Sequence, residues 1–486
     1  MTEKQQYPCC VVTTKGMTCC KDIPTSNSHE VNVPKAVHAT YTENNTILSV
    51  SEEGATVIDP VTMEVKMTIS LPHIDQFSFS PSGRYLTLYQ RIPLQYVQKA
   101  DGTGLEKVKQ EKVKTLHIYD LNTNPPTCIS SMFQNNMYVW PVVRFNVTET
   151  LMSHLDKTAT FYEVKETEDG KVELVRSAKQ YNNTIVRNLA WSPNPENANT
   201  FALFTPADKK KNIPARFQVC HYPNISNIIS STSFFKAVFC DIIWSPKANI
   251  VLCKAQNNID TTGQSYYGES YLYIISIADF TNNTMLPQPD GPIYDATFNA
   301  DGSLLATVAG YMPATVEIFK VNRMGRIDSI KKFQKQSRNE LKFSPNMQFL
   351  AVAGFGNCPG DVDVYETKHW KLVSEMNAHC TTEWYWTYDS KNIVFCGCYP
   401  RRHFDNFIKR CSLTTGDGVS VDYKDTLLHL ILKPLPPTME EIPFTVIKQK
   451  KEETIEAYVP PTRRHAPDDD PMPELKKPTP KQQQQP

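Results

Sequence analysis

No stretch of the chain approaches the roughly 20 consecutive apolar residues that a bilayer span needs, so no membrane partner is expected. The start, Met1 to Gln6, lacks the basic-then-apolar pattern of a secretory signal, which makes the cytoplasm the expected location. Neither sign of charge is in excess, since Lys+Arg and Asp+Glu both number 51. A protein that held nucleic acid by bulk charge would be basic, so any RNA contact must come from local patches. The signatures of catalysis are missing too. There is no Gly-x-Ser-x-Gly elbow, no P-loop and no dinucleotide-binding glycine pattern, so the chain reads as a non-enzyme without a cofactor. The 13 cysteines are scattered and read as free thiols in a reducing compartment. Cys9-Cys10, Cys19-Cys20 and Cys396-Gly-Cys398 lack the two-residue spacing of a zinc knuckle and no matching His pair follows, so no metal is expected.

What the chain does have is a repeat. A short apolar run ends in an aromatic residue, a polar turn follows, and a second apolar run begins. Clear copies are Phe77-Ser-Phe-Ser-Pro-Ser-Gly83, Trp191-Ser-Pro193, Trp244-Ser-Pro246, Phe298-Asn-Ala-Asp-Gly302 and Phe343-Ser-Pro345. Weaker ones centre on Tyr41, Phe145, Trp386 and Leu432. Each reads as a β-hairpin, because Ser or Asn at the first turn position, Pro at the second and Gly at the fourth suit a type I turn. Flanking segments such as Thr315-Val-Glu-Ile-Phe319 alternate with period two. The nine copies recur about every 49 residues, near the ~40–50 residues of a propeller blade. The expected fold is therefore all-β, a WD40-like β-propeller of about nine blades. A ring must close, and Cys10 to Thr14 is expected to pair with a late strand such as Phe444 to Ile447.

The domain plan that follows is an N-terminal segment 1–20, a propeller over 21–447 and a Pro/Gln-rich disordered tail over 448–486. A Lys-rich insertion, Gln98 to Lys114, interrupts the repeat as a long hairpin or loop. Lys209 to Lys211 reads as a solvated loop charge. Arg401, Arg402 and Lys409 lie near Tyr399, Phe404 and Phe407, a combination that can pair with phosphates and stack on bases. Lys448, Lys450, Lys451, Arg463 and Arg464 make the entrance to the tail locally basic.

Several longer strings resemble the eukaryotic translation initiation factor 2A family. They are Ser233-Phe-Phe-Lys-Ala237, Thr262-Gly-Gln-Ser-Tyr-Tyr-Gly-Glu269, Gly291-Pro-Ile-Tyr-Asp295, Gly310-Tyr-Met-Pro-Ala314, Ala353-Gly-Phe-Gly-Asn357, Cys398-Tyr-Pro-Arg401 and Ala457-Tyr-Val-Pro-Pro461. The resemblance implies a nine-bladed WD-like propeller that binds the small (40S) ribosomal subunit. It also implies help in placing initiator methionyl-tRNA in alternative, GTP-independent initiation, with mRNA and other initiation factors as further partners. Members commonly continue into a Lys/Ala/Glu-rich extension associated with tRNA and mRNA contact, whereas this sequence ends in Gln482 to Pro486. The propeller functions therefore carry over more firmly than tRNA binding. Polar, doubly aromatic Thr262 to Glu269 reads as a surface loop, making Tyr266 and Tyr267, with Lys236 nearby, candidate contacts. The alternative is a WD-repeat scaffold for proteins, with no RNA role.

Overall fold

In the computed structural model the chain is described over residues 5–23, 31–93, 96–98, 105–107, 113–181, 185–208, 210–234, 237–257, 269–277, 284–333, 335–399, 401–414, 418–423 and 425–447, with the backbone alone at 31–34, 96–98, 105–107, 180 and 269. Among these residues, nine four-stranded antiparallel sheets follow one another as the blades of a propeller. The nine positions that align in the sequence repeat are the final residues of the nine innermost strands. Those strands are His38–Tyr41, Ile74–Phe79, Val143–Phe145, Asn188–Trp191, Phe239–Trp244, Ile293–Phe298, Glu340–Phe343, Glu383–Trp386 and Leu427–Leu432.

The polar residue after each aromatic has a local reason to be there. Ser80, Asn146, Ser245, Asn299, Ser344 and Thr387 are all buried. Each side chain accepts the backbone N–H that opens the second strand: Tyr85 to Ser80 at 2.9 Å, Leu151 to Asn146 at 3.0 Å and Phe349 to Ser344 at 3.0 Å are examples. An apolar residue there would bury that N–H without a partner, at about 1–3 kcal/mol. The turn closes through a left-handed residue, glycine at Gly83 (φ 76°) and Gly302 (φ 69°) but alanine at Ala248 (φ 52°).

The aromatic residue has a different job. An innermost strand has no strand on its axial side, so its carbonyls need other donors. Indole N–H groups supply them across the blade boundary. Trp191 donates to Arg144 O at 3.0 Å, Trp244 to Ala190 O at 3.2 Å and Trp386 to Lys342 O at 3.1 Å. The second strand of a blade is covered on both faces by its neighbours, so Leu151–Leu155 and Phe349–Ala353 are buried throughout. The outermost strand meets solvent, and in Ile327–Lys332 no residue is buried. Nine apolar clusters result, one between each pair of adjacent blades.

The ring closes in the ninth blade, which combines the C-terminal inner strand Leu427–Leu432 with Cys9–Thr13, Gly16–Cys20 and Val31–Pro34. The expected pairing of the N-terminal strand with Phe444 to Ile447 is thus corrected to Leu427–Leu432. The ring leaves the innermost place of the last blade to the segment that directly follows the eighth blade, and that segment is Leu427–Leu432. Residues 433–447 instead run as an irregular strap over the seventh and eighth blades. Ile442 is buried there, its N–H reaching Gln348 Oε1 and its carbonyl accepting from Gln348 Nε2, both at 2.8 Å. The insertion in the second blade contains a hairpin that pairs Tyr96–Gln98 with Leu105–Lys107. The tail from 448 onward lies outside the described residues.

Candidate functional site

In each blade the connection between second and third strands emerges at the end where the innermost strand begins, as do the links from one blade to the next. Hence Lys114 at the close of the Lys-rich insertion, the Lys210–Lys211 loop, Gly310 to Ala314, Gly354 to Gly360 and Arg401 to Asp405 all project from one face of the ring. Residues 258–268, with Tyr266 and Tyr267, lie outside the described residues. So do Lys236, Lys448, Lys450, Lys451, Arg463 and Arg464.

Within the eighth blade, the loop after Asn392–Gly397 carries the densest group of candidates. Tyr399 N–H donates to Leu427 O at 2.8 Å and Arg402 N–H to Cys398 O at 3.1 Å, which fold the loop back on itself. His403 stands edge-on to Tyr399 at 5.0 Å, and Phe404 is 76% exposed at the tip. Arg401 is exposed and has no ion-pair partner among the described residues. Arg402 is turned inward. Its Nε donates to Phe404 O at 2.8 Å and Asp405 O at 3.0 Å, and its guanidinium lies 5.7 Å from the Phe407 ring centroid. Gly397 makes room for this packing, since a Cβ there would sit 2.7 Å from the Phe407 ring and 3.1 Å from Arg402 Cδ. Lys409 reaches the seventh blade and donates to Asn377 O at 2.8 Å. Arg410 pairs with Asp22 at 3.3 Å and caps the Tyr7 ring. The structure thus leaves Arg401 and Phe404 presented to solvent, while Arg402, Lys409 and Arg410 hold the fold.

Two other cations of this face are already engaged. Lys15 pairs with Asp425 at 2.9 Å and Lys35 with Glu53 at 2.7 Å. Asp208 Oδ1 accepts the backbone N–H groups of Lys210 and Lys211, shaping that loop and leaving both ammonium groups exposed.

Sequence reasoning did not identify a relay of ionisable groups on and beside the innermost strands. Lys254 bridges Asp241 at 3.3 Å and Tyr294 O at 3.4 Å in the next blade. Asp295 Oδ2 accepts Leu341 N–H at 2.9 Å, and Glu340 Oε2 accepts Trp384 Nε1–H at 2.6 Å. Glu383 Oε1 lies 3.5 Å from His429 Nδ1, and the His429 ring lies 5.2 Å from that of His38. Burial raises the Asp295 carboxyl pKa, partly offset by N–H donors from Leu341 and Ala296. Burial lowers the Lys342 ammonium and the His38 imidazole, the latter helped by His429. The available signal was a charged residue inside an otherwise apolar, aromatic-ended strand.

The vicinal cysteines face each other across one hairpin, Cys9 opposite Cys20 and Cys10 opposite Cys19, with the Sγ atoms of the second pair 3.4 Å apart. Among the described residues, one group has donors arranged for a metal ion: Glu383, Cys396 and Cys398. At the opposite face a cleft of about 220 Å³ is lined by Tyr7, Tyr385, Trp386, Tyr388, Pro434 and Pro437. No helix of the described residues is long and apolar enough to cross a membrane.

A family model described as "Eukaryotic translation initiation factor eIF2A" matches residues 232–430. A Schizosaccharomyces pombe protein named eukaryotic translation initiation factor 2A is 28% identical over 83% of this chain and 66% of its own length. The Dictyostelium discoideum protein of that name is 24% identical over 88% of this chain and 67% of its own. The chain therefore spans about two thirds of these relatives. Among solved structures, one described as "Crystal structure of the eukaryotic initiation factor" superposes with a TM-score of 0.70 at 22% identity, covering 89% of this chain and 100% of that one, which shows a shared fold.

Proposed function

We propose that the chain belongs to the eukaryotic translation initiation factor 2A family and acts in translation initiation by docking the long-loop face of its propeller on the small (40S) ribosomal subunit. The observation that carries this reading is the convergence, on one face, of exposed Lys114, Lys210 and Lys211 and the Arg401–Phe404 loop tip. Separate cations on a rigid ring contact phosphates at several points, and an exposed aromatic adds stacking on an unpaired base. Phe404 and Arg401 are the residues we assign to that contact. The buried ring of aromatics and capped turns sets the spacing of these loops and takes no part in binding.

Placement of initiator methionyl-tRNA, without GTP use by the protein itself, is the finer role we assign, with mRNA and other initiation factors nearby in the same assembly. No residue is given a catalytic step, and the cytoplasm is the proposed location. The balanced charge, 51 against 51, favours a second reading, a scaffold that binds only proteins.

Sedimentation of the full-length chain with purified small subunits, across a salt series, separates the two readings. A companion protein ending at Ile447 runs beside it. Saturable binding by both versions, weakening with salt, is the expected result. Binding lost with the tail would move the contact to residues after Ile447. Absence of binding at low salt would leave the scaffold reading.

A further inference from the structure

We propose that Cys396, Cys398, Glu383 and His429 form a zinc site at the seam between the eighth and ninth blades. The sequence hides it, because its donors come from three places: the strand Glu383–Trp386, the end of Asn392–Gly397 with the residue beyond it, and the inner strand Leu427–Leu432. Glu383 stands directly opposite Cys396 in the antiparallel register, so their side chains share one face of the eighth blade. The donor atoms of Glu383, Cys396 and Cys398 all lie within 4.8 Å of one another. His429 brings Nδ1 to 3.5 Å from Glu383 Oε1.

Tetrahedral zinc, with bonds of ~2.3 Å to sulfur and ~2.0–2.1 Å to nitrogen or oxygen, needs its donors about 3.3–3.8 Å apart. The Glu383, Cys396 and Cys398 donors are therefore within a side-chain adjustment of that geometry, and His429, placed against Glu383, completes the set by turning toward the thiols. Two thiols, one imidazole and one carboxylate form a borderline-soft set that suits zinc over calcium or magnesium. The thiols are buried, at 0% and 2% exposure, whereas the Glu383 and His429 side chains are 32% and 34% exposed and leave an approach for the ion.

Supporting contacts are in place. Tyr385 Oη–H donates to Glu383 Oε2 at 3.0 Å. Thr382 Oγ1 accepts Cys398 N–H at 2.8 Å and its hydroxyl donates to Cys396 O at 3.2 Å, clamping the two cysteines together. Such outer contacts orient ligands and strengthen binding. Charge also balances. Zinc with two thiolates, a carboxylate and a neutral imidazole carries a net single negative charge, and the Lys342 ammonium lies close enough to interact electrostatically with both Cys396 and Glu383. By contrast, Cys10 Sγ neighbours Cys19 Sγ at 3.4 Å and the Tyr41 hydroxyl at 3.3 Å.

The location gives the ion a purpose. The ring closes without a covalent bond, through a blade shared by both ends of the chain, and the ion would tie the eighth blade to that blade's inner strand. Binding to the folded ring alone stabilises it in proportion to the logarithm of zinc concentration over the dissociation constant.

The test uses the full chain, purified and stripped of metal, then titrated with cobalt(II) and separately with zinc. The expected result is one equivalent of cobalt showing thiolate-to-cobalt charge-transfer and tetrahedral ligand-field bands, displaced by zinc, with a thermal midpoint that rises on loading. Glu383→Gln keeps the Tyr385 contact and should still fold, yet weaken binding by at least the about 10–100-fold seen for lost outer-shell partners. Cys398→Ser should lose the charge-transfer bands, whereas Cys10→Ser with Cys19→Ser should keep them. Absence of tetrahedral thiolate bands in the wild-type chain overturns the proposal, as does a spectrum and affinity that Glu383→Gln and Cys398→Ser leave unchanged.

Discussion

Replacing Trp191 by phenylalanine tests the reasoning about how the ring is held. The indole N–H of Trp191 reaches Arg144 O at 3.0 Å and Ser153 Oγ at 3.1 Å, and the residue is 7% exposed. Phenylalanine keeps a ring in the cluster with Phe161 and Phe201 but removes the donor. Two hydrogen bonds are worth about 0.5–1.5 kcal/mol each, and Arg144 O keeps the Ser153 hydroxyl as a donor at 3.2 Å. The missing part of the indole leaves a small void in packed surroundings. A loss of about 2–4 kcal/mol is expected. Trp244→Phe, with a single bond of 3.2 Å from a half-buried ring, should cost about 1–2 kcal/mol. Urea unfolding followed by far-ultraviolet circular dichroism reads both as shifts in midpoint at unchanged slope. Val61→Ala, at a residue 84% exposed, serves as the control and should change little. If Trp191→Phe shifts the midpoint no more than Val61→Ala does, the indole donors do not join the blades.

His154 supplies a pH prediction. Burial lowers its pKa to about 4, with Asp156 opposing, so between about pH 6.5 and pH 4 the unfolded chain takes a proton that the folded chain refuses. Its contribution is complete above pH 6.5 and is lost as pH falls, by roughly 2 kcal/mol at pH 5, and unfolding titrations should show His154→Gln flattening that decline. Gly397→Ala would drive a methyl group into the Phe407 ring and Arg402, costing about 1–3 kcal/mol, with faster proteolysis at residues 401–405 as its readout. Ile442→Ala should cost about 2–4 kcal/mol in urea unfolding, because the strap over the seventh and eighth blades buries that side chain.

The nine-fold architecture was legible because its cause is local and repeated. An aromatic ends each inner strand to meet the preceding blade, except Leu432, and a buried polar residue then caps the turn. Both needs write themselves into consecutive residues, so Tyr41, Phe79 and Trp386 could be aligned without knowing what they touch. The partner of the N-terminal strand was misassigned because it depends on where the ring runs out of blades, and Phe444 to Ile447, though strand-like in composition, lies in the strap, with Ile447 N–H donating to Leu372 O at 2.9 Å. The candidate surface was half legible. Arg401 and Phe404 are presented as their composition suggests, yet Arg402, Lys409 and Arg410 are taken up by contacts with Asp405, Asn377 and Asp22 that no local pattern encodes. The grouping of Glu383, Cys396, Cys398 and His429 was invisible for a related reason, since a strand register and a blade boundary bring them together.

Charge reversal on one face at a time tests the docking account most directly. One variant carries Lys210→Glu, Lys211→Glu and Arg401→Glu, all exposed on the long-loop face; the other carries Lys247→Glu, Arg323→Glu and Arg326→Glu, all exposed on the turn face. Each is sedimented with small ribosomal subunits from low to moderate salt. The account predicts that the first variant binds more weakly and that its dependence on the logarithm of salt flattens by up to about 2–3 units, for three lost phosphate contacts. The second variant should follow the wild type. Equal losses in both variants, or a loss confined to the second, would contradict docking through the long-loop face.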